Sequence, residues 1–321
     1  MDKKIRIIYF GTSDFAVPPL TALNNVAEIS LVVTQPAKKS GRGGKLTESP
    51  IFNAATSLGL NILQPESCKD EGFIAEIEKM SPDLIVVAAY GQFLPEKLLE
   101  IPQYKAINIH GSILPHLRGA APIQRAIQAG DAKTGVTLIY MVKKMDAGDI
   151  IKTKETSINS DDTYGILHER LSHIGAELLL ETLPSIIAGN IEPKAQNETE
   201  ITFAPPIEKN EREIDWSASA LEIHRKVMAF NPNPIAITTF KNAPLKMYTT
   251  KVISIDELPC EGIFTAGQVA CADKNNGLII KTGDGLLQIL QLQPAGKNIM
   301  SGREFINGYQ IKQGDNIFEV N

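Results

Sequence analysis

The run Leu84–Ala89, LIVVAA, is apolar at every position. A strand that shows one face to water alternates apolar and polar residues, whereas a strand covered on both faces need not alternate. Four further runs have the same β-rich apolar character: Ile5–Phe10, Ile29–Val33, Ala106–His110 and Val136–Val142. Helix-like segments lie between them at Phe15–Asn24, Pro50–Leu58, Phe73–Met80 and Ala121–Ala129, and a long amphipathic helix is expected over Thr163–Ala188. Strands alternating with helices call for a mostly parallel sheet covered on both faces. The expected fold class is α/β and Rossmann-like.

After Gly189 the texture changes. NIEPKAQNETEITFAPPIEKNEREIDW is polar and has no apolar periodicity until Ile214, which reads as a crossover linker. A short helix, Ala218–Ala229, and the β-type runs IAITTF, LKMYTTKVIS, GQVACA, GLIIKT and GLLQILQL follow. The turns KNNG and TGDG between the later runs favour a meander or a small barrel. The expected organisation is a domain over 1–189, a linker over 190–208 and a smaller domain over 209–321.

Hydrophobic content of 43% and charged content of 21% supply an ordinary core. A formal net charge of −5 gives no general affinity for nucleic acid, so any such contact must come from a local basic patch. Cys68, Cys260 and Cys271 are odd in number, far apart and free of CxxC pairing. That argues against a disulfide framework or a zinc site and fits a reducing cytoplasm. MDKKIRIIYFGTSDF runs straight into a strand with no apolar or Arg/Ser-rich leader, and no stretch reaches the length of a membrane span.

FGTSDF, after the first strand, sits where a dinucleotide loop would sit, but Gly11 is its single glycine and the GxGxxG spacing is missing. A structural turn capped by Ser13 or Asp14 is the better reading. Asn108 and His110 alternate with Ile107 and Ile109, so period two places both polar side chains on one face of a strand. The end of such a strand is where parallel sheets bind ligands. A buried hydrogen-bonded pair is the plain alternative, but GSILPHLRG follows directly, with Gly111 for close approach and Pro115 to stiffen the loop. An imidazole needs a third group to orient it. MDAGDI supplies Asp146 in a glycine-containing loop after VTLIYMV. Metal binding, with His116 and Asp149 enlisted, finds no recognised ligand spacing.

Asn–x–His, SxLPxxRGAAPIQ and VTLIYMVKKMDAGDI, with IRIIYFGTSDFAVPPL, AAYGQFLP and LQPAGKNIMSGREFINGY, extend over essentially the whole chain. Together they resemble the 10-formyltetrahydrofolate-dependent formyltransferases, most closely the branch that formylates methionyl-tRNA. The resemblance implies formyl transfer from 10-formyltetrahydrofolate to the methionine of initiator Met-tRNA, by a monomer in the cytoplasm with no metal. It implies catalysis by Asn108, His110 and Asp146. Folate would lie along Ser112, Ile113, Leu114 and Pro115, with the Tyr90–Leu94 hairpin (Tyr90, Gln92, Leu94) and the Lys143–Asp146 loop around the pterin. The smaller domain would be an OB-like β-barrel that binds tRNA. Two departures fall there: Asn233 of NPNPIA stands where the tRNA enzymes usually carry Trp, and Asn298 follows Lys297 where a second basic residue is common.

PAKKSGRGGKL carries Lys38, Lys39, Arg42 and Lys45 with no acid among them. A basic run is ordinarily a solvated loop. After the second strand it resembles the insertion loop with which the tRNA enzymes grip the acceptor arm, and these cations can neutralise several phosphates. An amino-sugar nucleotide as acceptor, or a non-catalytic RNA-binding protein on the same scaffold, are the rival readings. The intact Asn/His/Asp set speaks against the second.

Overall fold

Ile7, Ile8, Tyr9 and Phe10 are all fully buried, so the first strand is covered on both faces, as its unbroken apolar run requires. The structure, a computed structural model, describes residues 4–40, 44–254, 256 and 260–318. They form two units: residues 1–122, 133–157 and 168–205, and residues 123–132, 158–167 and 206–321.

The strands of the first unit, in chain order, are β1 (Arg6–Gly11), β2 (Glu28–Val33), β3 (Lys38–Ser40), β4 (Lys45–Thr47), β5 (Ile62–Leu63) and β6 (Leu84–Ala88). Then come β7 (Ala106–His110), β8 (Arg118–Gly119), β9 (Lys133–Tyr140), β10 (Ile150–Ser157) and β11 (Phe203–Ala204). The helices along this part of the chain are α1 (Val17–Val26), α2 (Pro50–Ser57), α3 (Glu71–Met80), α4 (Glu96–Leu99), α5 (Pro122–Ala129) and α6 (Tyr164–Ile187). A seven-stranded sheet runs β10-β9-β7-β6-β1-β2-β5. Neighbours from β5 to β7 are parallel, while β9 is antiparallel to β7 and β10 to β9.

On one face Ile8, Phe10, Leu31, Val33, Ile85 and Val87 pack against Phe73 and Ile77 of α3 and Leu98 and Leu99 of α4. Each such side chain contributes roughly 1.5–3 kcal/mol by leaving water. On the other face α6 approaches β7 so closely that a Cβ on Gly175 would lie 2.9 Å from Ile109. Side-chain caps begin α2 and α3: Ser49 accepts from the Phe52 N–H and Asp70 from the Phe73 N–H.

Three features differ from the sequence reading. Strand β10 was not expected, because IIKTKETS is an edge strand with only half-buried and exposed positions and lacks a buried apolar run. The basic stretch is not a bare loop: β3 and β4 pair antiparallel, Lys38 with Thr47, Lys39 with Leu46 and Ser40 with Lys45. Residues 190–205, read as linker, are bonded into the first unit. Lys194 exchanges both backbone hydrogen bonds with Ile150, the Leu117 N–H donates to the Thr202 hydroxyl, and β11 pairs with β8. Backbone groups hold this segment, so apolar periodicity does not reveal it.

In the second unit the strands are β12 (Ala236–Phe240), β13 (Ala243–Ile253), β14 (Val269–Asp273), β15 (Gly277–Lys281), β16 (Leu286–Pro294) and β17 (Met300–Ser301); the helices are α7 (Ala220–Phe230) and α8 (Gly302–Tyr309). The antiparallel order is β12-β13-β16-β15-β14, with β17 beside β16. The turns KNNG and TGDG do join β14, β15 and β16 as an antiparallel meander, and β13, pairing with β16 rather than β14, extends it into a Greek-key arrangement. Both edges are covered: the Ile214 N–H donates to the Ile237 carbonyl beside β12, and Val269 of β14 exchanges bonds with Gly314 and Asp315. Trp216 is fully buried, stacks on Phe318 with ring centroids 4.5 Å apart, and donates its indole N–H to Thr238. Capping boxes start both helices, Ser219 with Glu222 and Ser301 with Glu304. Cys260 and Cys271 are joined by a disulfide, which corrects the reading of three unpaired thiols: the turn into β14 brings their Cα atoms to 5.8 Å. Among the described residues no helix is long and apolar enough to cross a membrane.

Candidate active site

Period two on β7 does place Ile107 and Ile109 on one face and Asn108 and His110 together on the other. Asn108 is half-buried and His110 is 6% exposed. Asp146 reaches them by a route that a wholly parallel sheet would not offer. Since β9 runs antiparallel to β7, its end lies beside Ile107, and the loop leaving it folds back along the Asn108–His110 face.

There the Asp146 carboxylate is the shared partner. Its Oδ2 accepts the Gly119 N–H at 2.9 Å and lies 3.6 Å from His110 Nδ1. Its Oδ1 is 3.5 Å from the Asn108 amide nitrogen. The bond from Gly119 is of ordinary strength and fixes the carboxylate, while the other two contacts are long. The Asn108 amide can therefore turn toward a reacting atom without breaking a strong bond, and the Nδ1 side of His110 is only loosely held. On the far side of the imidazole, Nε2 is 3.1 Å from the Leu117 carbonyl. A carbonyl only accepts, so Nε2 carries a proton and Nδ1 is the nitrogen that can exchange one, against the carboxylate.

The loop after β7 is stapled to β9. Thr137 donates its hydroxyl to the Ser112 carbonyl at 2.7 Å and accepts the Leu114 N–H at 3.1 Å. Ser112 donates its own hydroxyl to the His116 carbonyl. Ser112, Leu114 and Pro115 are buried, and Ile113 is the half-exposed side chain of the set. The segment from Tyr90 to Leu94 is a loop and not the expected hairpin, with Gly91 at φ +86°. Tyr90 and Leu94 put their side chains into the core. Burial, followed by the bond to the Cys68 thiol, pushes the Tyr90 phenol well above its usual range. Gln92 is engaged by the Cys68 N–H and the Glu66 carbonyl. A ligand there would meet the backbone of these residues.

Gly119 has φ +130°, and a Cβ on it would come 2.6 Å from the Ala204 carbonyl oxygen. A side chain is thereby excluded where the N–H must reach Asp146. Sequence reasoning assigned no role to Gly119, to Gln196, which binds the loop carrying Asp146, or to Arg118, which binds Gln196. Lys38 and Lys39 are exposed, with Lys38 donating to the Gln35 side chain. Lys45 pairs through its backbone with Ser40, and Arg42 lies outside the described residues. His116 and Asp149 are exposed; among the described residues the one grouping of such ligand atoms is Cys260, Cys271 and Asp273 in the second unit, where the disulfide leaves the two cysteines no thiolate to offer a metal.

Residues 3–183 match the formyl transferase family and residues 206–310 its C-terminal domain. The chain is 42% identical to the methionyl-tRNA formyltransferase of Macrococcus caseolyticus, over 94% of this chain and 95% of that one. It is also 42% identical to that of Halothermothrix orenii, over 98% and 100%. Among solved structures, the sugar 3N-formyl transferase WlaRD, crystallised in the presence of dTDP and 5-N-formyl-THF, matches with a TM-score of 0.63 and 19% identity over 92% of this chain and 99% of that one.

Proposed function

The chain belongs to the formyl transferase family, and on that premise we propose that Asn108, His110 and Asp146 carry the formyl group of 10-formyltetrahydrofolate to the α-amine of methionine on initiator tRNA. The activity is formyl transfer to methionyl-tRNA for the start of translation. The observation that supports these three residues is one carboxylate, fixed by a backbone N–H, beside both an amide and an imidazole.

As the acceptor amine adds to the formyl carbon, negative charge develops on the formyl oxygen. Asn108 is placed to donate an amide N–H to that charge. The acceptor nitrogen, cationic after addition, gives a proton to Nδ1 of His110. The imidazole passes it to N10 as the C–N10 bond breaks and the oxyanion re-forms a carbonyl, and Asp146 compensates the imidazolium while the proton is held. No metal enters this scheme, since an activated formamide and a neutral amine react without one. Within the same proposal, folate lies along the Ser112–Pro115 loop and the chain acts as a cytoplasmic monomer.

The acceptor reading assigns tRNA phosphates to Lys38, Lys39, Arg42 and Lys45 and a supporting tRNA surface to the second unit. Replacing all four cations by alanine is expected to weaken initiator-tRNA binding and leave folate affinity near that of the parent. Each lost phosphate contact removes about 0.9 from the slope of log affinity against log salt. Titrating charged initiator tRNA across a salt series checks this: parallel lines of equal height would remove the basic hairpin from the interface.

A further inference from the structure

Asp146 sits at φ +49°, a left-handed conformation that Asp and Asn enter more readily than other residues with a Cβ but still at some cost, in a loop whose neighbours Val142, Lys143, Lys144 and Met145 are exposed. Something outside the loop must hold it. Gln196 donates its side-chain amide to the backbone carbonyls of both Asp146 and Gly148, each at 2.7 Å. Its Oε1 in turn accepts two N–H groups of Arg118, from Nε at 3.0 Å and from Nη2 at 2.7 Å. Arg118 is 1% exposed and directly precedes Gly119, whose N–H holds the Asp146 carboxylate.

We propose that Arg118 and Gln196 form a clamp that positions Asp146 for the reaction. The inference rests on the functional reading above and extends it to two residues outside the reacting groups. Arg118 has only donors to offer, so it fixes which way the Gln196 amide faces: oxygen toward the guanidinium, NH2 toward the loop carbonyls. The two ends of the clamp therefore act together. Arg118 sets the amide, the amide sets the Asp146 backbone, and Gly119 sets the carboxylate.

Gln196→Glu separates this role from a purely structural one. A carboxylate pairs with Arg118 at least as well as the amide does, through charge-assisted hydrogen bonds. It also turns an oxygen, in place of the NH2, toward the carbonyl oxygens of Asp146 and Gly148, and acceptors repel acceptors. The expected result is a melting temperature close to the parent's, a kcat for formyl transfer about 10²-fold lower, and unchanged KM values for both substrates. If the variant does not fold, Gln196→Asn, with the same amide on a shorter arm, is measured for the same split between kcat and KM.

The parent and Asp146→Asn are assayed alongside. A folded Gln196 variant with parental kcat, while Asp146→Asn is impaired, overturns the clamp and leaves the functional reading standing. An inactive parent, or an Asp146→Asn protein as active as the parent, overturns the functional reading and the clamp with it.

Discussion

Replacing Asn108 or His110 by alanine is expected to lower kcat for formyl transfer by about 10²–10³-fold while folate affinity stays close to the parent's. The expectation follows from where the two side chains stand. Both lie on the same face of β7, and their contacts to Asp146, at 3.5 Å and 3.6 Å, are too long to be the reason for their presence. Strand pairing runs through the backbone, Asn108 opposite Ile139 and His110 opposite Thr137, so truncating either side chain leaves the sheet register in place. His110 is nearly buried, and His110→Gln, which keeps more of its bulk, guards against a cavity effect. Single-turnover rates, with folate binding measured separately by calorimetry, decide the matter. Parental turnover in a folded variant would remove that residue from the chemistry.

Asp146→Asn is expected to cost a comparable factor for a different reason. Asparagine is among the residues that tolerate left-handed backbone, so a residue at φ +49° can be exchanged for it without unfolding the turn. The side chain keeps an oxygen for the Gly119 N–H. What it loses is the negative charge facing Nδ1 of His110, and with it the compensation for an imidazolium. The loss should therefore fall on kcat and spare the melting temperature. An Asp146→Asn protein with parental kcat would reduce Asp146 to a turn residue.

Legibility in the sequence followed burial. Strands β1, β6 and β7 could be read because both of their faces are covered and their composition is correspondingly apolar. Strand β10 could not, since an edge strand obeys weaker compositional rules. Asn108 and His110 stood out because period two is visible in a one-dimensional string. Asp146 could be proposed from its loop, but its route to His110 depends on β9 running antiparallel to β7, which no local pattern states. Gly119 acts through a backbone N–H, which every non-proline residue carries, and Gln196 lies in a polar stretch without periodicity. Neither left a compositional signal. The disulfide between Cys260 and Cys271 was hidden for the same reason: it depends on how β14 is approached.

The most direct measurement offers the protein 10-formyltetrahydrofolate with charged initiator tRNA and an amino-sugar nucleotide as competing acceptors, and identifies the formylated product by mass. The predicted product is formylmethionyl-tRNA, with the amino sugar unchanged. Formyl on the sugar, or none on methionine from folded protein, would contradict the assignment.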